Sequence, residues 1–272
     1  MNARIRKLVR MLVPFRVRLE ILRLMRLPRW IIERPTIARR RASDEEGAGF
    51  DYLLASHTSP LERVPGSLAT EVQLGKEHNV GLAARLLDRL IVEPNQVFSH
   101  HHTVGRTSRR RGFREGLELR NGEPTAGVGG GLCQVSNSFY WVAVRAGMRI
   151  TERHRHGLDL FPDHERTVPF GCGATVVYNY ADFRFENPLP MRVMLRARID
   201  NGRFVSELWS TDDPGVRFEV EEVDHRFFRE DDEWWRENRL RRRVRTPEGT
   251  LVLDHEIAHN RGRVMYTPDE DG

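Results

Sequence analysis

The stretch that most restricts this chain is Gly127 to Gly147, GVGGGLCQVSNSFYWVAVRAG, in which three consecutive glycines lead straight into an apolar helical repeat. Leu132, Val135, Phe139, Val142 and Ala146 recur at three- and four-residue intervals, and Gly147 stands where a left-handed C-terminal cap belongs. The spacing predicts a buried helix of about fifteen residues. Gly129, Gly130 and Gly131 supply backbone freedom immediately before it, and without side chains they let a ligand come close to the main chain.

Around that helix the chain reads as strand-rich. MRITERHRHGL, ATVVYNY, FRFEN, MRVMLRARID and RFVSELWS carry β-branched and aromatic residues, with Asn187-Pro188 and Asn201-Gly202 as turns between them. Upstream, Val80, Ala83, Leu87 and Leu90 predict a helix over 76–92 that Pro94 ends. NQVFSHHHTVG reads as a short strand running into a loop, and the run Arg109 to Arg111 as a solvated charge run on a polar loop or hairpin. The class is α+β: an antiparallel β-sheet packed on a central helix that begins after the glycine loop 129–131, with a basic helical N-terminal extension. With 39% hydrophobic residues over 272 positions, there is material for one substantial core. Three segments are expected: 1–45 as a basic amphipathic extension and linker, 46–215 as the core domain, and 216–272 as a helical and hairpin extension packed on that core.

Charge separates the first of these from the rest. Thirteen basic residues against Glu20 and Glu33 give residues 1–41 a net charge of +11, leaving about −6 on the remainder of a chain whose total is +5. Drawn as a helix from Arg16 to Leu27, Val17, Ile21, Leu24 and Met25 share one side, while Arg16, Arg23 and Arg26 share the other. That pattern suits either an anionic membrane surface or docking on the body of the protein. The longest uncharged run, Met11 to Phe15, is too short for a signal-peptide core or a bilayer span, so neither is expected. RRRASDEEGAG, residues 39–49, reads as a linker. No nucleic-acid partner is expected, because the body lacks a recognition motif or an aromatic-basic platform. Two cysteines make no disulfide framework and fit reduced thiols in the cytosol.

Cys133 is the first candidate for chemistry. In the first turn of the helix it meets unpaired N–H groups and the positive end of the dipole, which lower a thiol pKa. Asn137 and Tyr140 project on the same side. Alternation of RITERHRHG as a strand would put Ile150, Glu152, His154 and His156 on one face and Arg153 and Arg155 on the other. His156, or His154, could then take the proton from Cys133, with Asp182 orienting the imidazole and Asn187 behind it. N–H groups near Gly130 and Gly131 would hold an oxyanion. Against this stands the plain reading of a cysteine in an apolar helix as a small core residue. No metal site is expected: Cys133, His154, His156 and Cys172 lack ligand spacing, and consecutive histidines 100–102 would point to opposite faces of a strand. No cofactor is expected either.

Four ordered blocks, EPNQVFSHHHTVGRTSRRRGFREG (93–116), GGGLCQVSN (129–137), TERHRHGLDLFPDHERTVPFG (151–171) and GATVVYNYADFRFEN (173–187), resemble the VanW family. The similarity is strong over Glu77 to Trp209. It implies a link to glycopeptide resistance or cell-envelope metabolism, with no assigned reaction, and it makes a peptidoglycan precursor or other envelope ligand the natural partner. The family's glycine-cysteine-glutamine block falls on Gly131, Cys133 and Gln134, and its histidine block on His154 and His156. Many longer relatives carry an aspartate where Gly173 stands here. Three functions follow: a cysteine-dependent acyl or peptide-bond enzyme, a non-catalytic module that binds an anionic envelope precursor at Gly129, Gly130, Gly131, Gln134, Asn137 and Asn187, or a scaffold held at the inner membrane face by residues 1–41.

Overall fold

The computed structural model describes residues 14–62, 70–120, 123–160 and 167–268. The predicted central helix is α5 (Leu132–Arg145), and its apolar stripe is buried as the spacing requires, with Val135, Phe139 and Val142 all but sealed from solvent. It ends in a Schellman arrangement: Gly147 adopts φ +79°, and the Met148 N–H reaches back to the Ala143 carbonyl at 3.0 Å. Beneath α5 lies an antiparallel sheet in the order β1 (Tyr52–Pro60), β10 (Arg203–Ser210), β9 (Val193–Asp200), β2 (Ile91–Val92). Phe139 meets Phe204 of that sheet edge-on at 6.2 Å and Phe98 at 6.3 Å. The α+β class and the sheet-on-helix arrangement are therefore observed.

The second helix, α3 (Thr70–Leu87), packs beside α5 and buries Val80, Ala83 and Leu87. A hairpin of β4 (Glu115–Arg120) and β5 (Glu123–Val128) leads into the glycines. A third sheet, in the order β3 (Val97–Ser99), β8 (Arg184–Glu186), β6 (Arg149–Glu152), carries the one-turn helix α4 (His100–Val104) at the end of β3.

Three local readings are corrected. The tail, expected as a short helical or loop stretch followed by a hairpin, is instead three long antiparallel strands, β11 (Arg217–Glu230), β12 (Glu233–Arg245) and β13 (Leu251–Val264), with β7 (Leu158–Asp159) added parallel to β13. Leu240 drops into the core, and Arg242 donates to the Met148 carbonyl at 3.0 Å, which fixes this sheet to the C-terminal end of α5. The alternation RITERHRHG stops at Glu152, after a register shift between Ile150 and Glu152, and ATVVYNY is irregular apart from a bridge from Val177 to Ala181. The segment 39–49, expected as a linker, is bound to the body: Ala42 is buried and its N–H donates to the Arg89 carbonyl at 2.9 Å, the Ile91 N–H donates to the Arg40 carbonyl at 2.8 Å, and a short helix, α2 (Asp44–Gly47), is capped by Ser43.

The basic extension forms α1 (Phe15–Glu33). Its arginine face, not its apolar face, turns inward: Arg23 donates to the Tyr178 carbonyl at 2.9 Å, and Arg26 pairs with Glu152 at 3.2 Å. Trp30 stacks on His102 at 4.6 Å, and Glu33 pairs with Arg184. Among the described residues, no helix is long and apolar enough to cross a membrane.

Candidate functional site

The turn before Cys133 is filled. Gly129 and Gly131 adopt φ of +90° and +99°, which explains glycine there. A methyl group at Gly130 would overlap the Gly116 carbonyl, and one at Gly131 would overlap the Lys76 side chain. Asn79 donates to the Gly130 and Arg114 carbonyls at 3.0 and 2.9 Å and locks the turn onto α3. The cradle expected to be open to a ligand or an oxyanion is filled by the protein itself: the missing side chains make room for the Gly116 backbone and for the side chains of Thr107 and Lys76.

Cys133 is half-buried, and the Val176 N–H bonds to its sulfur. Burial outweighs that bond and pushes the thiol pKa up, contrary to the lowering expected from the helix start. No hydrogen bond joins Cys133 to His154 or His156 among the described residues. His154 turns to Glu152, with its Nε2 2.9 Å from Oε1. His156 comes closer to the thiol's surroundings: its Nε2 lies 3.4 Å from Asn137 Oδ1, and its Nδ1 3.0 Å from the Thr175 hydroxyl. Asn137 Oδ1 also accepts the Ala174 N–H at 2.7 Å, so the 174–176 segment runs along α5 and gathers Cys133, Asn137 and His156 at one place. Gln134 donates to the Pro60 carbonyl and the Ser59 hydroxyl at 2.7 and 2.9 Å, and Asn187 closes the turn before β9 through the Val92 and Met191 carbonyls. Arg153, expected to face away, is drawn inward over the Tyr140 ring at 4.0 Å and donates to the Tyr140 hydroxyl and the Gly173 carbonyl.

Asp182 is not behind His156. It sits fully buried at the foot of α4, where Oδ1 accepts the His101 and Phe183 N–H groups at 3.0 and 2.9 Å. Its Oδ2 accepts the Ser99 hydroxyl and Arg184 Nε, both at 2.6 Å. Burial alone would raise its pKa, but His101, Arg184 and the Ser99 bond hold the carboxyl below its usual range. The physical reason for the misplacement is the early end of β6, which leaves Asp182 facing β3 and α4.

The histidine run is not the loop that the sequence suggested. In the turn of α4 both His100 and His101 are buried, and each, with Asp182, offers a donor atom within 4.8 Å of the others. These are the described residues best placed to hold a metal ion: Asp182 and His101 Nδ1 already have partners, whereas both ring nitrogens of His100 and Nε2 of His101 are buried without one. Four hydrogen bonds already fill Asp182, Arg184 supplies its countercharge, and His101 Nδ1 accepts the Asn179 N–H at 3.1 Å. Burial, with the neighbouring His101, pushes His100 down to about 3, so it is a neutral ring inside the protein. Above this cluster α1 closes a small polar cavity lined by Arg26, Trp30, His101, Glu152, Asn179 and Arg184. Sequence reasoning missed Arg184 and Glu152 as organisers. The signal for Arg184 was its i, i+2 spacing from Asp182, in alternation with apolar Phe183 and Phe185.

Comparison with known proteins adds the lineage. The family described as "VanW like protein" matches residues 75–209. The uncharacterized protein YoaR of Bacillus subtilis (strain 168) is 35% identical over 140 residues, which cover 50% of this chain and 44% of that protein. The vancomycin B-type resistance protein VanW of Enterococcus faecalis (strain ATCC 700802 / V583) is 24% identical over 180 residues, 66% of this chain and 63% of that protein. The chain thus spans less than two thirds of either relative. No solved structure matches. The matched span runs from α3 through the glycine turn, Cys133 and the buried Asp182 to β10, and by this match the chain belongs to the VanW family.

Proposed function

We propose that this chain is a non-catalytic accessory protein of the cell envelope, linked to glycopeptide resistance as the name of its Enterococcus faecalis relative suggests. The observation that supports this reading is how the groups a thiol enzyme needs are spent. Cys133 is shifted toward the neutral thiol, Asp182 is consumed by Ser99, Arg184 and two backbone N–H groups, and the glycine turn is packed against Gly116 and Lys76. An activated cysteine requires the opposite: a base within hydrogen-bond reach and donors open to the substrate. A peptidoglycan precursor held in the glycine turn is likewise not part of this reading, because protein occupies that space.

The test is complementation. In a host that carries a B-type resistance cluster without its VanW coding sequence, expression of this chain should restore the vancomycin resistance of the complete cluster, and Cys133→Ala should do so equally. A folded Cys133→Ala protein that restores nothing would restore the enzyme reading. Failure of the wild-type chain would remove the link to resistance.

A further inference from the structure

Helix α1 is amphipathic in the reverse sense of a helix that docks on its own protein. Val17, Ile21, Leu24, Met25, Ile31 and Ile32 are each between 49% and 74% exposed and lie along one outward stripe. The opposite face is held to the body by Arg23, Arg26, Trp30 and Glu33, and the Asn179 amide donates to the Arg23 carbonyl at 2.6 Å. With these contacts made, the helix cannot roll over to bury its apolar side. A water-soluble surface helix ordinarily buries the apolar stripe and hydrates the charges, so this arrangement leaves a surface that calls for an occupant.

We propose that the outward face of α1 docks in the plane of an anionic phospholipid surface, its apolar side chains entering the headgroup boundary. Charge selects this occupant. Residues 1–13, which lead into the helix, carry Arg4, Arg6, Lys7 and Arg10 and no acid, a cluster that a negatively charged leaflet attracts. Nineteen residues of helix span about 28 Å, which provides an extended contact parallel to the surface. The inference rests on α1 alone and is independent of the accessory reading above.

The experiment is co-sedimentation of the full chain with phosphatidylcholine vesicles and with vesicles in which about a third of the lipid is phosphatidylglycerol. The expected result is binding to the anionic vesicles that weakens with added salt. Leu24→Gln with Met25→Gln should lower that partition by about tenfold or more, because two side chains of this size leave the interface. The far-UV circular dichroism and melting temperature should not change, since both side chains face away from the body. Absence of binding to anionic vesicles, or equal binding by the double variant, overturns the proposal. So does a lipid-free dimer in sedimentation analysis that the double variant abolishes, which would assign the face to a second copy.

Discussion

Asp182 separates the two accounts of this protein most sharply, because a carboxylate that orients a catalytic histidine and a carboxylate that anchors the fold respond differently to the same change. In Asp182→Asn one oxygen becomes an NH2 group that can only donate. Turned toward Ser99 and Arg184, that NH2 group can donate to the Ser99 hydroxyl but leaves Arg184 Nε facing a donor; turned the other way, it meets the His101 and Phe183 N–H groups. Each buried donor left unpaired costs about 1–3 kcal/mol, and Arg184 also loses the charge that compensates it. The sum is a destabilisation of roughly 3–5 kcal/mol, large for one substitution and tied to a named cause. Urea unfolding followed by circular dichroism measures it. The damage should also reach α1, since Arg184 holds Glu33, so protease cleavage within 15–33 should accelerate in the variant. If Asp182→Asn unfolds within about 0.5 kcal/mol of the wild type, the range of an ordinary surface change, the anchoring argument is wrong.

Two further outcomes follow from the same geometry. Alkylation of Cys133 by iodoacetamide should show a midpoint above the ordinary thiol value of about 8.5 and should not move in His156→Ala; a lowered midpoint that rises in the mutant would revive the thiolate-imidazolium pair. Stability should fall as pH is lowered from about 6.5 to about 3: His100 has a folded pKa of about 3 against 6.5, so in that window the unfolded chain binds a proton that the folded chain does not. The depressed carboxyls of Asp182 and Glu33 add a loss near and below their ordinary values, as the pH falls through their folded pKa values. A flat dependence of the urea midpoint between pH 7 and pH 4 would contradict the buried neutral histidine.

Much of the architecture was legible because it rests on local rules. The stripe from Leu132 to Ala146 and the cap at Gly147 specify α5, and the alternation in 193–200 and 203–210 specifies a hairpin about Asn201-Gly202. The tail was harder. EWWRENRLRRRVR has no clean period of two, and its strand character comes from pairing with β11 and β13, where Arg241 and Arg243 meet acids across the strands. The site was half legible. Cys133, Asn137 and His156 do come to one place, but the link runs through the irregular segment 174–176, whose position no pattern announces.

The sequence by itself therefore determined the helix, its caps, the strands and the split of charge between leader and body, because each depends on residues a few positions apart. Tertiary structure decided what the polar groups do. Whether Asp182 faces an imidazole or an arginine, whether three glycines admit a ligand or a carbonyl, and which face of α1 sees water all depend on segments distant in the chain arriving at the same place. Burial and pairing then set their charge and reach.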